Sequence, residues 1–174
     1  MGNYLQDDLS LEPELASVEP LADGLAGVDQ TVLYMTRFAI NGSQTPSIRM
    51  TAEGIVRGTP QRDFPGESRA IERWVRDRLR FTRDGLKVET LKTPQRMIQE
   101  IAAHGKFIGD CDDASILVAT LLLAVGHAPS FQVLGRGSTP HHVNVLDRTT
   151  GLVVDASANP TGAFGYRKLY EVNP

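Results

Sequence analysis

The run from Ala114 to Leu123 constrains this chain more than any other stretch. Ala114, Ile116, Leu117, Val118, Leu121, Leu122 and Leu123 make it apolar on nearly every face of a helix. A helix of that kind cannot lie on a surface, so other elements must enclose it. It follows Gly109 and stops at Gly126. The walls have to come from the flanking sequence, and that sequence has two halves of different character.

Upstream, the apolar spacing is helical. Val32, Leu33, Met35, Phe38 and Ala39 predict a helix over 28–40 that Asn41-Gly42 ends. A short helix is expected over 46–56, with Pro46 in its first turn and Gly58 beyond its end. Glu67-Ser68 leads into Ile71, Trp74, Val75, Leu79 and Phe81, which predicts one helix through 81 with Arg69, Arg73, Arg76 and Arg80 on its solvated face. Thr93-Pro94 starts a fourth helix that carries Met97, Ile98 and Ile101 and stops near Gly105. Downstream the pattern becomes strand-like over 130–134, 142–146 and 152–155, with a further short strand around Leu169 and Tyr170. Arg148-Thr149-Thr150-Gly151 makes the turn between the second and third of these. Helices first and strands afterwards give an α+β fold, the buried helix packed on a small antiparallel sheet.

At 174 residues the chain is long enough for one domain with a core of its own. Residues 1–36 hold seven acidic residues and no Lys or Arg. The expected organisation is an acidic, extended arm over 1–27 and a single domain over 28–174. A net charge of -3 argues against a nucleic-acid partner. No apolar run reaches the roughly 18 residues of a membrane span. No basic patch leads into an apolar core at the start, so residence in a reducing cytoplasm is expected. One cysteine excludes an internal disulfide and any zinc site built on two thiolates.

That cysteine, Cys111, falls in Gly109-Asp110-Cys111-Asp112-Asp113, at the first turn of the buried helix. Free N–H groups and the dipole at a helix start favour a thiolate, and the same groups suit an oxyanion. A glycine just upstream lets a substrate backbone approach. Read alone, Cys111 is equally a buried inert thiol. Asp110, Asp112 and Asp113 suit a helix start, yet they raise the pKa of a neighbouring thiol, so a reactive Cys111 needs a cation beside it. His141 and His142 open a strand downstream, and alternation lets only one of them face Cys111. Periodicity does not choose between them. Asp155, ending the next strand, is placed to orient an imidazole on the neighbouring strand or simply to cap the loop at Ser157. Asp147 and Asn159 are weaker candidates for that orienting role. The three aspartates offer hard oxygen ligands, but the twelve-residue calcium-loop pattern is absent, and Cys111 with two diverging histidines makes a poor zinc site. No metal and no cofactor is expected.

Together, Gly109-Asp110-Cys111-Asp112-Asp113-Ala114, the apolar helix to Val125-Gly126-His127, the strand His142-Val143-Asn144-Val145 and the strand ending in Asp155 resemble the core of the transglutaminase-like superfamily, with its papain-like fold. Trp74-Val75-Arg76-Asp77-Arg78-Leu79-Arg80-Phe81 is similar to the helix preceding that core in bacterial members. Thr93-Pro94 with the cysteine run looks most like members encoded by tailed bacteriophages and prophages. The resemblance implies Cys111 as nucleophile, His142 as base and Asp155 as orienting acid, in acyl transfer or hydrolysis at an amide through a thioester. It implies a protein or peptide substrate. The sequence departs from the family at Asn144, where an aromatic residue is common, and at Asp155-Ala156-Ser157, where aspartate-proline-threonine is usual. A second reading keeps the fold as a virion or assembly component of a phage, docking on other structural subunits through the acidic arm. The expected location is then the cytoplasm of a bacterial host, or the virion.

Overall fold

The structure is a computed structural model and describes residues 16–17, 25–82, 90–157 and 167–174. In chain order its elements are β1 (Ala16–Ser17), α1 (Leu25–Ser43), α2 (Pro46–Val56), α3 (Phe64–Arg76), β2 (Leu79–Phe81), β3 (Thr90–Leu91), α4 (Pro94–His104), β4 (Phe107–Gly109), α5 (Cys111–Ala124), β5 (Pro129–Arg136), β6 (Thr139–Asp147), β7 (Leu152–Val154) and β8 (Arg167–Val172). The helices come first, and the strands β5 to β8 form one antiparallel sheet in the order β7-β6-β5-β8. The α+β class and the small antiparallel sheet are those the sequence predicts.

The enclosing of α5 is also as its composition requires. Ile116, Leu117, Val118, Leu121 and Leu122 are fully buried. They share one core with Met35 and Ala39 of α1, Ile48 and Ala52 of α2, Ile71 and Val75 of α3, and Phe131 and Val145 of the sheet. Helices α1, α2 and α3 pack on one side of α5 and β6 on the other. The helix ends in a glycine turn, with Gly126 at a φ of 88° that any larger residue resists.

Three elements differ from the sequence reading. Helix α1 runs on to Ser43 rather than stopping at Asn41-Gly42. A Cβ at Gly42 would come within 2.7 Å of Pro94 Cγ and 2.9 Å of Thr120 Cγ2, so this glycine admits a close crossing of helices instead of ending one. Helix α3 stops at Arg76, and Leu79–Phe81 leaves it to pair in parallel with Phe107–Gly109. Leu79 lies four residues after Val75, so the helical period continues through a stretch that tertiary pairing claims. Strand β4 itself was not foreseen. Of the arm expected over 1–27, Ala16–Ser17 pairs antiparallel with Thr90–Leu91 and α1 begins at Leu25; the rest of it lies outside the described residues.

The core predicts a clear contrast in urea unfolding. Leu121→Ala should lower stability by about 2–5 kcal/mol. Leu33→Ala, at a side chain 49 % exposed, should cost less than about 1 kcal/mol. Equal losses would mean that α5 is not the centre of the core.

Candidate active site

The first turn of α5 is held by its N-cap. Asp110 Oδ1 accepts from the N–H of Asp112 at 3.0 Å and of Asp113 at 3.4 Å, and the Asp110 carbonyl accepts from Ala114 N–H at 3.1 Å. Most of the donors expected for an oxyanion are therefore already spent on Asp110. Gly109 has a different reason from the one the sequence suggests. A Cβ there would lie 2.5 Å from Asp113 Oδ2, so the glycine makes room for a buried carboxylate, whose Oδ1 accepts from Lys92 N–H at 2.8 Å.

Cys111 is partly buried beside that cap. Its thiol donates to Asp112 Oδ1 at 3.5 Å, and the Val143 backbone N–H donates to the sulfur. Burial pushes the thiol pKa far above its ordinary value, and the charges of Asp112 and Asp110 push it further; the Val143 amide opposes them and loses. Burial and the two carboxylates thus oppose the thiolate that the helix dipole would favour.

His142 and Asp155 come together as the sequence proposes. His142 Nε2 lies 2.6 Å from Asp155 Oδ2. The other oxygen of Asp155 accepts from Ser157 N–H at 3.2 Å and Ser157 Oγ–H at 3.0 Å, so orienting and capping are both served, one oxygen each. Of the two histidines, His141 is exposed, and the partly buried His142 faces Asp155. Val143, next in the chain, offers its N–H to Cys111 and accepts Ser115 Oγ–H on its carbonyl at 3.1 Å. Strand β7 pairs with β6 only from Val145 onward, which leaves the Val143 edge to the start of α5. So the thiol sits against the residue that follows His142. Two places on, Asn144 is buried, and its Oδ1 has no hydrogen-bond partner.

Asp147, a weaker candidate for the orienting acid, serves another histidine. His127 Nδ1 lies 2.8 Å from Asp147 Oδ2, and His127 Nε2 lies 2.9 Å from Glu67 Oε2. Both nitrogens face carboxylates, an arrangement satisfied when both carry hydrogens. Ser68 Oγ–H and Thr150 Oγ1–H also donate to Asp147 Oδ2, at 2.6 and 2.8 Å. Phe64 meets the His127 ring edge-on at 5.7 Å. The side chains of His127 and Asp147 are both fully buried. The sequence reading missed this cluster; the signal available was a histidine at the end of an apolar helix with an aspartate at a strand end. Asn159 lies outside the described residues.

Among the described residues, Asp110, Cys111 and Asp112 form the one group whose ligand atoms lie close enough for a metal ion, within 4.8 Å of one another. Capping and the thiol contact already engage these atoms, and His142, the nearby imidazole, is bound to Asp155.

No protein-family model matches the chain, and no curated protein matches it. A solved structure from Cytophaga hutchinsonii, provisionally described as a cysteine protease, matches in fold with a TM-score of 0.54 at 13 % identity. The match covers 87 % of this chain and 50 % of that one, so this chain spans half the length of its neighbour. At that identity the likeness is one of fold: a cysteine-protease-like arrangement of helices on a small antiparallel sheet. Among the described residues no helix is long and apolar enough to cross a membrane.

The Asp147 cluster makes stability depend on pH. Burial pushes the Asp147 carboxyl up, but donation from Ser68, His127 and Thr150 and the positive charge of His127 together hold it below the usual range. A carboxyl lowered by folding stabilises above its unfolded value of about 4 and ceases to as pH falls through its folded value. Stability should therefore drop below about pH 4. Asp147→Asn should flatten that drop while costing on the order of 3 kcal/mol at neutral pH. Parallel acid limbs in wild type and variant would show that Asp147 carries no part of the drop.

Proposed function

We propose that the chain is a transglutaminase-like cysteine enzyme in which Cys111, His142 and Asp155 carry acyl transfer or hydrolysis at an amide of a protein or peptide. The observation that carries this reading is the 2.6 Å bond between His142 Nε2 and Asp155 Oδ2 on the strand whose next residue meets the Cys111 sulfur. Asp155 occupies Nε2, which leaves Nδ1 of His142 as the nitrogen available to take the thiol proton.

The high thiol pKa decides how the first step runs. With burial, Asp112 and Asp110 all favouring the neutral form, a resting thiolate–imidazolium pair is not the starting state. The thiol proton passes to His142 as the sulfur attacks the carbonyl carbon, so deprotonation and attack are one event. The S–C bond forms, and the carbonyl electrons move to oxygen. On this reading the Cys111 N–H, in the first turn of α5, serves the developing oxyanion. His142 returns the proton to the leaving amine, and the C–N bond breaks to give a thioester. Water or a second amine then attacks the thioester, with His142 again as base. Asp155 stabilises the imidazolium at each stage and keeps the ring in place. This chemistry requires no cofactor. No observation favours the reading as a phage structural subunit.

Two measurements test this reading. Iodoacetamide alkylation of Cys111 should show no thiolate plateau below pH 7, and His142→Ala or Asp155→Asn should slow it by about tenfold or more at that pH. p-Nitrophenyl acetate should acylate Cys111, as seen by peptide mapping, with release of nitrophenolate and slow hydrolysis of the thioester. Alkylation indifferent to His142, together with no acylation, would leave Cys111 an inert thiol.

A further inference from the structure

Asp155 stands one residue beyond β7, which ends at Val154. No ladder bond of the sheet is recorded for it, since the last pair between β6 and β7 is Val145 with Val154. Something else must set its position, because its Oδ2 reaches His142 at 2.6 Å, and a shift of about 1 Å would break such a bond. One support is the turn to Ser157 on Asp155 Oδ1. The other comes from a different element.

Among the described residues β7 is an edge strand, with β6 as its single neighbour in the sheet order. Helix α3 covers the open side with two arginines. Arg76 Nη2 donates to the main-chain carbonyl of Asp155 at 2.7 Å, and Arg69 Nη1 reaches the carbonyl of Val153 at 3.4 Å. Both arginines are fixed from behind by one acid. Glu72 is 8 % exposed; its Oε1 accepts from Arg76 at 2.6 Å and its Oε2 from Arg69 at 2.7 Å. The four arginines are exposed, as expected of a solvated face, and two of them, Arg69 and Arg76, also hold the strand that leads to Asp155.

We infer that Arg76, held by Glu72, is a positioning residue that sets the main chain of Asp155 and through it the His142 imidazole. The inference rests on the reading of Cys111, His142 and Asp155 as one site. Arg76 touches neither His142 nor the sulfur; it acts through a backbone carbonyl. A planar guanidinium can bridge a carboxylate and a carbonyl with hydrogens in fixed directions, which an ammonium does less well. The two arginines divide the work. Arg76 bonds Asp155 itself at 2.7 Å, while Arg69 makes a longer contact two residues earlier.

The test compares Arg76→Gln, Arg76→Lys and Arg69→Gln in the full chain. The first readout is solvent exchange of the His142 Nε2–H, followed by proton NMR and assigned by its absence in His142→Ala. The second is the rate of Cys111 alkylation by iodoacetamide, and the third is the melting temperature. Arg76→Gln should speed ring-proton exchange by about tenfold and slow alkylation by a similar factor, while Arg69→Gln stays within about twofold on both. Both glutamine variants should lower the melting temperature alike, since each removes one ion pair with Glu72. Arg76→Lys should recover part of the loss. Equal effects of Arg76→Gln and Arg69→Gln on ring exchange would overturn the inference. If Arg76→Gln does not fold, the same comparison of Arg76→Lys with Arg69→Gln decides it. Alkylation that ignores His142→Ala would sink the reading of the site instead, while ring exchange still reports on Arg76.

Discussion

The burial of α5 is the constraint from which the rest follows. A helix with Ile116, Leu117, Leu121 and Leu122 all inaccessible needs a wall on every side, and three helices and a sheet supply them. Charged groups then stand at its ends: at the first turn are Asp110, Cys111 and Asp112, and past the last are His127 and, beside it, Asp147. These two clusters are thus at opposite ends of one apolar rod. Both lie along β6, because β6 is the strand that packs on α5.

Strand β6 carries information between those ends. Asp147 terminates it and is fixed by His127, Ser68 and Thr150, with the turn closed by Gly151 N–H to the Asp147 carbonyl at 2.7 Å. A slip of one residue would bury His141 in place of His142 and turn Asp147 away from His127. The buried cluster at the far end of the helix therefore helps to fix which histidine faces Asp155. Helix α3 adds a second restraint on the same hairpin. Glu67 and Ser68 in its first turns bind the His127–Asp147 cluster, and Arg69 and Arg76 bind the carbonyls of β7. One short helix thus grips the hairpin at its turn and at the end where Asp155 stands.

What was legible in the sequence is local or periodic. Thr93-Pro94 and Asp110 act as N-caps at the starts of α4 and α5, the turn at Arg148–Gly151 is where its residues place it, and alternation marks β6. The meeting of His142 with Asp155 was legible from their places on two successive antiparallel strands, whereas the preference for His142 over His141 came from the family resemblance and not from periodicity. The misses share a cause: their partners are remote in sequence. Leu79–Phe81 keeps a helical period, and only pairing with Phe107–Gly109 makes it a strand. Gly42 reads as a helix stop until Pro94 and Thr120 are found against it. His127 needs Glu67 and Asp147 from two other elements, and the arginines of α3 need the edge of β7, which no spacing within the helix announces.

The electrostatics of Cys111 set the terms for any chemistry at this site. Burial and two carboxylates push the thiol pKa up, which disfavours the thiolate that would act as nucleophile. The dipole of α5 is largely spent on Asp110, whose carboxylate takes the N–H groups of Asp112 and Asp113. On the proposed reading, reactivity then depends chiefly on a base that accepts the proton during attack. The quality of that base is set by Asp155, and the position of Asp155 by a turn at Ser157 and by Arg76. Control over the sulfur thus passes from the helix that bears it to the hairpin and to α3, which are fixed to one another by buried ionic groups far from the sulfur.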